Sequence, residues 1–191
     1  MSDKIKYVPA LIIFVTMMIF ISCVRPESEP LTLESPIYFP VSDYILKDYK
    51  NNRKQFNLEK SIIINGHIDT KNIAGPIQPS EIEILEQINI NSPKYVGFYS
   101  GDTTYSLSGE IEKITYVAIE PEAVIKNIII NFSHGKTDRI YVRSSNSSLI
   151  SIGKQELEYR FGIGYQLSTM QKVLLRDTLN LKINATFVKP K

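Results

Sequence analysis

The chain has 191 residues, is 43% apolar and 22% charged, and carries a formal net charge of +2. That length supports one domain of ordinary size with a real core, and the near-neutral balance argues against nucleic acid as the main partner, because phosphate binding needs a concentrated positive patch. A single cysteine excludes an internal disulfide framework and any multi-cysteine metal site, and two histidines leave little for a histidine-rich one.

The N-terminus carries Lys4 and Lys6, followed by an almost wholly apolar run over residues 8–21, interrupted by Pro9 and Thr16. After Ser22 and Cys23 the character flips to Arg25, Pro26, Glu27, Glu29 and Pro30. A basic segment before a short apolar run is the layout of a secretory signal. The run is also shorter than the ~20 residues a spanning helix needs. The lysines sit on the side expected to stay cytoplasmic.

Phe20-Ile21-Ser22-Cys23 resembles the lipobox of bacterial lipoproteins. That pattern has an apolar residue three before the cysteine, a small residue just before it, and the cysteine at the cut. Phe20 stands where leucine is usual. The resemblance implies cleavage between Ser22 and Cys23, a diacylglycerol on the Cys23 thiol, and an N-acyl chain such as palmitate on the new α-amino group. One acyl chain holds a protein to a bilayer only marginally, whereas two or three hold it firmly, at about 0.8 kcal/mol per buried CH₂. An uncleaved apolar anchor and an ordinary signal peptide are the alternatives. Val24 follows the cysteine, so the aspartate that retains some lipoproteins at the inner membrane is missing, and by analogy this favours the outer membrane. Glu27 and Glu29 resemble the acidic surface-export signals of some lipoproteins.

The expected organisation is a signal peptide over residues 1–22, a lipid-anchored Pro-rich tether over 23–40, and a single β-rich envelope domain over 41–191. Pro26, Pro30, Pro36 and Pro40 bias the tether toward extended conformations. Ile37, Tyr38 and Phe39 are apolar, so its end is expected to dock on the domain.

Ser42 and Asp43 suit the cap of a helix running from Tyr44 to about Phe56, with Ile45, Tyr49, Asn52 and Phe56 on one face. Residues 60–69 read as a β-branched strand, with Asn65-Gly66 a tight turn or a bulge within it. Gly75-Pro76 breaks the chain. Pro79-Ser80-Glu81 opens a second helix to about Ile90, with Ile82, Leu85 and Ile88 inward and Glu81 and Glu83 near its positive end.

From Ser92 onward the reading is strands alone, at about 95–99, 103–107, 111–119, 123–132, 138–144, 155–161, 165–175 and 179–188. The expected turns are Ser100-Gly101-Asp102, Ser108-Gly109, 133–136 and 162–164, with a polar loop over 144–148. Val124, Ile128, Ile130 and Phe132 would share a face, as would Leu157, Tyr159 and Phe161. The fold class expected is therefore α+β, mainly β: two short N-terminal helices and an antiparallel meander of about 7–8 strands, as a curved sheet or half-barrel. The helices would cover the apolar face, unless the sheet closes as a barrel.

Residues 44–187 are similar to a group of uncharacterised lipoproteins of Bacteroidota-type bacteria. The likeness rests on Lys60-Ser61-Ile62-Ile63-Ile64-Asn65-Gly66, the short acidic helix from Glu81 to Asn89, Glu156-Leu157-Glu158-Tyr159, Gly162-Ile163-Gly164-Tyr165 and Gln171-Lys172-Val173-Leu174-Leu175. It implies element order and envelope location, and transfers no catalytic residue.

Candidate chemistry is sparse. His67-Ile68-Asp69 puts two polar groups on one strand face, most simply a surface pair, and His134 falls in a turn. No Gly-x-Ser-x-Gly elbow, phosphate-binding glycine loop, His-Glu-x-x-His or calcium loop occurs. Glu156, Glu158 and Arg160 would make exposed cross-strand ion pairs. Tyr38, Tyr44, Tyr49, Tyr95, Tyr99, Tyr105, Tyr116, Tyr141, Tyr159 and Tyr165 would either line a binding face or serve as ordinary strand residues.

The expectation is a non-enzymatic, lipid-anchored interaction or structural module of the cell envelope. It would have no catalytic residue, metal or cofactor beyond the lipid on Cys23, and its partners would be the membrane and other envelope proteins. The alternative is a carrier or chaperone holding an apolar ligand or lipid in a curved-sheet cavity.

Overall fold

The structure is a computed structural model and describes residues 37–190. Phe20, Ile21, Ser22, Cys23 and the rest of the expected signal peptide and tether, up to residue 36, lie outside the described residues.

The described chain begins by docking. The Tyr38 N–H donates to Asn91 Oδ1 at 2.8 Å, and Asn91 Nδ2 donates back to the Tyr38 carbonyl at 3.0 Å. The Tyr38 ring meets Tyr99 and Tyr116 edge-on. Helix α1 (Val41–Arg53) follows, then the hairpin β1 (Asn57–Ile64) and β2 (His67–Ile73). Next come helix α2 (Pro79–Glu86) and a 3₁₀ turn (Pro93–Tyr95). The strands β3 (Tyr99–Tyr105), β4 (Ile111–Ala118), β5 (Ile125–Ser133), β6 (Lys136–Ser147), β7 (Ser151–Arg160), β8 (Gly164–Val173) and β9 (Leu179–Val188) complete it.

All strands join one antiparallel sheet of nine, in the order β2-β1-β9-β8-β7-β6-β5-β4-β3. The sheet is open, with β2 and β3 as its two edges. The mainly-β α+β class matches the sequence reading, but the strand count rises from 7–8 to nine. Asn65 and Gly66 adopt φ of 47° and 91°, a full turn that pairs Ile64 with His67 and divides the single expected strand. Asn-Gly favours this turn because both residues tolerate positive φ. The two helices do not both precede the sheet, since β1 and β2, in place of the one expected strand, lie between them.

Other boundaries move for local reasons. Helix α1 starts at Val41, with Pro40 as its N-cap and no side-chain cap, so Ser42 and Asp43 sit inside its first turn. It ends at Arg53 rather than Phe56, and α2 ends at Glu86 rather than near Ile90. Ser100-Gly101-Asp102 is strand, not turn. A Cβ at Gly101 would stand 3.0 Å from Tyr116 Cε1, so the glycine lets that ring cross the backbone. The polar stretch 144–147 is also strand, because Ser144 to Ser147 pair with Gln155 to Ile152 across the ladder. In β5 a register shift between Ile125 and Asn127 turns Ile125 inward and leaves Val124 exposed.

The core lies between the helices and one face of the sheet. Ile45 and Tyr49 of α1, Leu85 of α2, and Ile88 and Ile90 beyond it are buried. They share one cluster with Leu58, Ile128, Ile130, Ile140, Val142, Leu157, Tyr159, Leu167, Ile183 and Ala185. Each buried Ile, Leu or Val among them contributes about 1.5–3 kcal/mol by leaving water.

Candidate functional site

The most polar buried constellation joins the two helices. Ile45, Tyr49 and Arg53 recur at four-residue spacing and so share the inner face of α1. Glu81, in the first turn of α2, receives them. Arg53 Nε lies 3.2 Å from Glu81 Oε2, and both side chains are almost fully buried. The Tyr49 hydroxyl donates to the same oxygen. Glu81 Oε1 accepts the Gln78 N–H at 3.0 Å, which completes a capping box. The remaining guanidinium nitrogens donate to the Phe56 carbonyl at 3.0 Å and the Gly75 carbonyl at 3.3 Å.

Burial alone would push the Glu81 carboxyl up, but the hydrogen bonds from Tyr49, Gln78 and Arg53 outweigh it and hold it below the ordinary range. Burial and then the Glu81 contact push the Tyr49 hydroxyl well above the ordinary tyrosine range. Tyr165 beside them is pushed up to about 12, first by burial and then by the Glu81 charge. Its hydroxyl is buried without a hydrogen-bond partner, as is that of Tyr99. Every charge in this group is matched and sealed, so it works as a strut between helices rather than as a reactive centre.

A second constellation is half-open. Asp48, on α1, accepts the Tyr159 hydroxyl at 2.8 Å and the Gly162 N–H at 3.0 Å. It thereby ties the β7–β8 turn to the helix. Beside it lies an open cleft of about 510 Å³, where Phe39, Tyr44, Phe132 and Phe161 form apolar walls and Lys47 and Lys136 stand at the rim. Phe39 packs on Tyr44 at 4.6 Å and edge-on against Phe132 at 5.9 Å between ring centres. Aromatic walls lined also by Lys47, Lys136 and the hydrogen-bonded Asp48 carboxylate suit a mainly apolar segment.

The structure separates the other predicted residues. His67 and Asp69 sit exposed on edge strand β2, and Asp69 pairs with Lys71 at 3.2 Å rather than with the histidine. His134 holds a φ of 50° in the exposed β5–β6 turn. Tyr38, Tyr49, Tyr99, Tyr159 and Tyr165 are core residues, so the tyrosines do not gather on one open face, and Tyr44 alone of the ten lines the cleft. Cross-strand ion pairs form at Glu156 and Glu158, whereas Arg160 faces Arg139 across the ladder and pairs with Glu158 of its own strand. Arg143 meets Glu156 at 3.0 Å, and Glu158 lies between Arg160 at 2.7 Å and Arg139 at 3.5 Å.

Among the described residues no group of three or more His, Cys, Asp and Glu converges, and no helix is long and apolar enough to cross a membrane. Residue patterning missed the Phe39–Phe132–Phe161 cleft and the Asp48 contact. The apolar Phe39 before the helix was the available signal, but its partners come from strands about a hundred residues away. No protein-family model matches the chain, and neither does any curated protein or solved structure.

Proposed function

We propose that the chain is a lipid-anchored protein of the cell envelope, held at the outer membrane through Cys23, and that its folded domain is a non-enzymatic interaction module. The single observation that carries the module reading is the cleft beside Asp48: its aromatic walls stay open while the strongly polar buried groups close on one another. A partner envelope protein would insert a mainly apolar segment there, between Lys47 and Lys136. The carrier reading has less support. A ligand under the helices would have to displace Ile45, Tyr49 and Leu85, which already fill that face.

Two experiments test this. Intact-mass analysis of membrane-extracted protein should find a chain beginning at Cys23 with added acyl mass, and Cys23→Ala should lose both the mass and the membrane fractionation. If Cys23→Ala stays wholly membrane-bound, the acylated cysteine is not the anchor. A photo-crosslinking residue at Tyr44 should give a discrete adduct that the Lys47→Glu, Lys136→Glu double variant loses. Stoichiometric co-purified lipid, with no such adduct, would favour the carrier instead.

A further inference from the structure

The end of the sheet away from the aromatic cleft carries a different surface. Three hairpin turns lie side by side there. The Leu174 N–H donates to the Ile150 carbonyl at 2.8 Å, lacing the β8–β9 turn to the β6–β7 turn. The Asn65 N–H donates to the Asn180 carbonyl at 3.0 Å, and the Asn180 N–H returns to Asn65 Oδ1 at 2.9 Å, lacing the β1–β2 turn to the start of β9.

These joined tips point their largest aliphatic side chains into solvent. Leu149 and Leu175 are fully exposed, and Ile68, Ile150 and Leu174 are more than half exposed. A folded chain gains nothing internally from leucines placed there. Leu175 also holds a φ of 61°, a left-handed conformation that glycine or asparagine would adopt at less cost. Lys154, Lys172 and Arg176 flank the tips against Asp177, while Asp69 beside Ile68 is paired with Lys71. The basic character stops at the neighbouring β4–β5 turn, which carries Glu120 and Glu122.

We infer that this rim of hairpin tips is a docking surface for an anionic lipid bilayer, with Leu149, Ile150, Leu174 and Leu175 entering the headgroup boundary and the flanking cations meeting lipid phosphates. Apolar side chains with adjacent Lys and Arg are the chemistry by which a peripheral domain lies on such a surface. The chain outside the described part fits this occupant. It enters at Ile37, beside Tyr38, whose ring meets Tyr99 of β3 and Tyr116 of β4. The 13 residues between Cys23 and Ile37 reach about 45 Å at full stretch, so an anchored domain can rest this rim on the membrane. The inference rests on the anchored reading for that reach alone.

The chain has no tryptophan, so a single introduced indole reports one position. The full chain in a Cys23→Ala background, carrying Leu175→Trp, Leu149→Trp or Leu107→Trp, is mixed with phosphatidylglycerol vesicles. Leu107 is equally exposed but lies in the β3–β4 turn at the opposite end. The first two reporters should shift to the blue and be quenched by brominated acyl chains, and the third should do neither. Leu149→Trp serves if the strained backbone at Leu175 rejects an indole. Lys172→Glu with Arg176→Glu should weaken the signal severalfold, and phosphatidylcholine vesicles should give little.

Equal response at both ends, or at neither, overturns the inference. A blue shift that grows with protein concentration without vesicles overturns it in favour of a second copy of the chain. Equal response on neutral vesicles overturns the choice of an anionic surface. Because the background lacks Cys23, failure of the anchored reading does not imitate any of these results.

Discussion

The two ends of the sheet are built from the same kind of turn, yet they use their side chains in opposite ways. At one end the β7–β8 turn is tied to α1 by Asp48, and Phe39, Phe132 and Phe161 gather beside it. At the other, the β6–β7 and β8–β9 turns are laced to each other and leave leucines in water. At the first end the turn is held by Asp48 and the aromatic rings pack on one another around an open cleft, whereas the leucines at the second end make no such internal contact. The contrast makes the first end sensitive to substitution and the second tolerant of it.

The sharpest break should come from the strut behind the first end. Arg53→Ala leaves Glu81 buried and unpaired, and is expected to lower the unfolding free energy by about 3–5 kcal/mol in urea titration. Asp48→Ala should follow at about 1–3 kcal/mol, because the Tyr159 hydroxyl and the Gly162 N–H lose their acceptor. An unchanged urea midpoint in Asp48→Ala would show that this tie does not hold the covered end together.

Acid should act on the same end. The folded-state pKa of Glu81 is lowered, so its stabilisation is complete above the ordinary carboxylate value of about 4.3 and is lost as pH falls through the folded value. Stability measured below pH ~4.3 should decline less steeply in Glu81→Gln than in the parent chain. Alkali has the converse sign. Tyr165 is raised to about 12, so its neutral form is favoured in the fold, and stability should drop as pH rises from about 10 through 12.

The smallest effects should come from groups that bond to nothing inside the fold. Tyr165→Phe removes an orphaned hydroxyl and should leave stability within about 1 kcal/mol of the parent, or raise it. Leu149→Ser should change stability by less than about 0.5 kcal/mol. Leu175→Gly should raise stability slightly as backbone strain is relieved, while lowering vesicle binding. A loss of several kcal/mol at either leucine would erase the contrast between the two ends.

Much of the fold is legible where one face is buried and alternation is strict. In β7 and β9, Leu157 and Tyr159, and Ile183 and Ala185, point inward as their period of two requires. Pro79 marks the start of α2, and His134-Gly135 marks a hairpin turn. The misreadings share a cause. Gly101 and the polar run 144–147 look like turns locally, but neighbouring strands complete their hydrogen bonds and keep them extended. Ile125 replaces Val124 in the core because a bulge shifts the register, which composition does not reveal.

The candidate sites divide in the same way. Glu81 reads locally as a residue that suits a helix N-terminus, and it does cap α2. That it also meets Arg53 and Tyr49 depends on how two helices, separated by a hairpin, lie on the sheet. Ten of the eleven tyrosines stand out as strand or binding-face candidates, yet five are core because the sheet and helices close over them.

Local chemistry by itself determined the β-rich class, the Asn65-Gly66 turn signal and the inward face of most strands, because turn preference and side-chain alternation are encoded over a few residues. Only the tertiary structure decided the nine-strand order, the sealed Arg53–Glu81–Tyr49 strut, the cleft beside Asp48 and the row of bare leucines at the opposite rim. Each of these brings together residues far apart in the chain. Their contacts are selected by burial and register across the whole sheet, not by any segment's own preference.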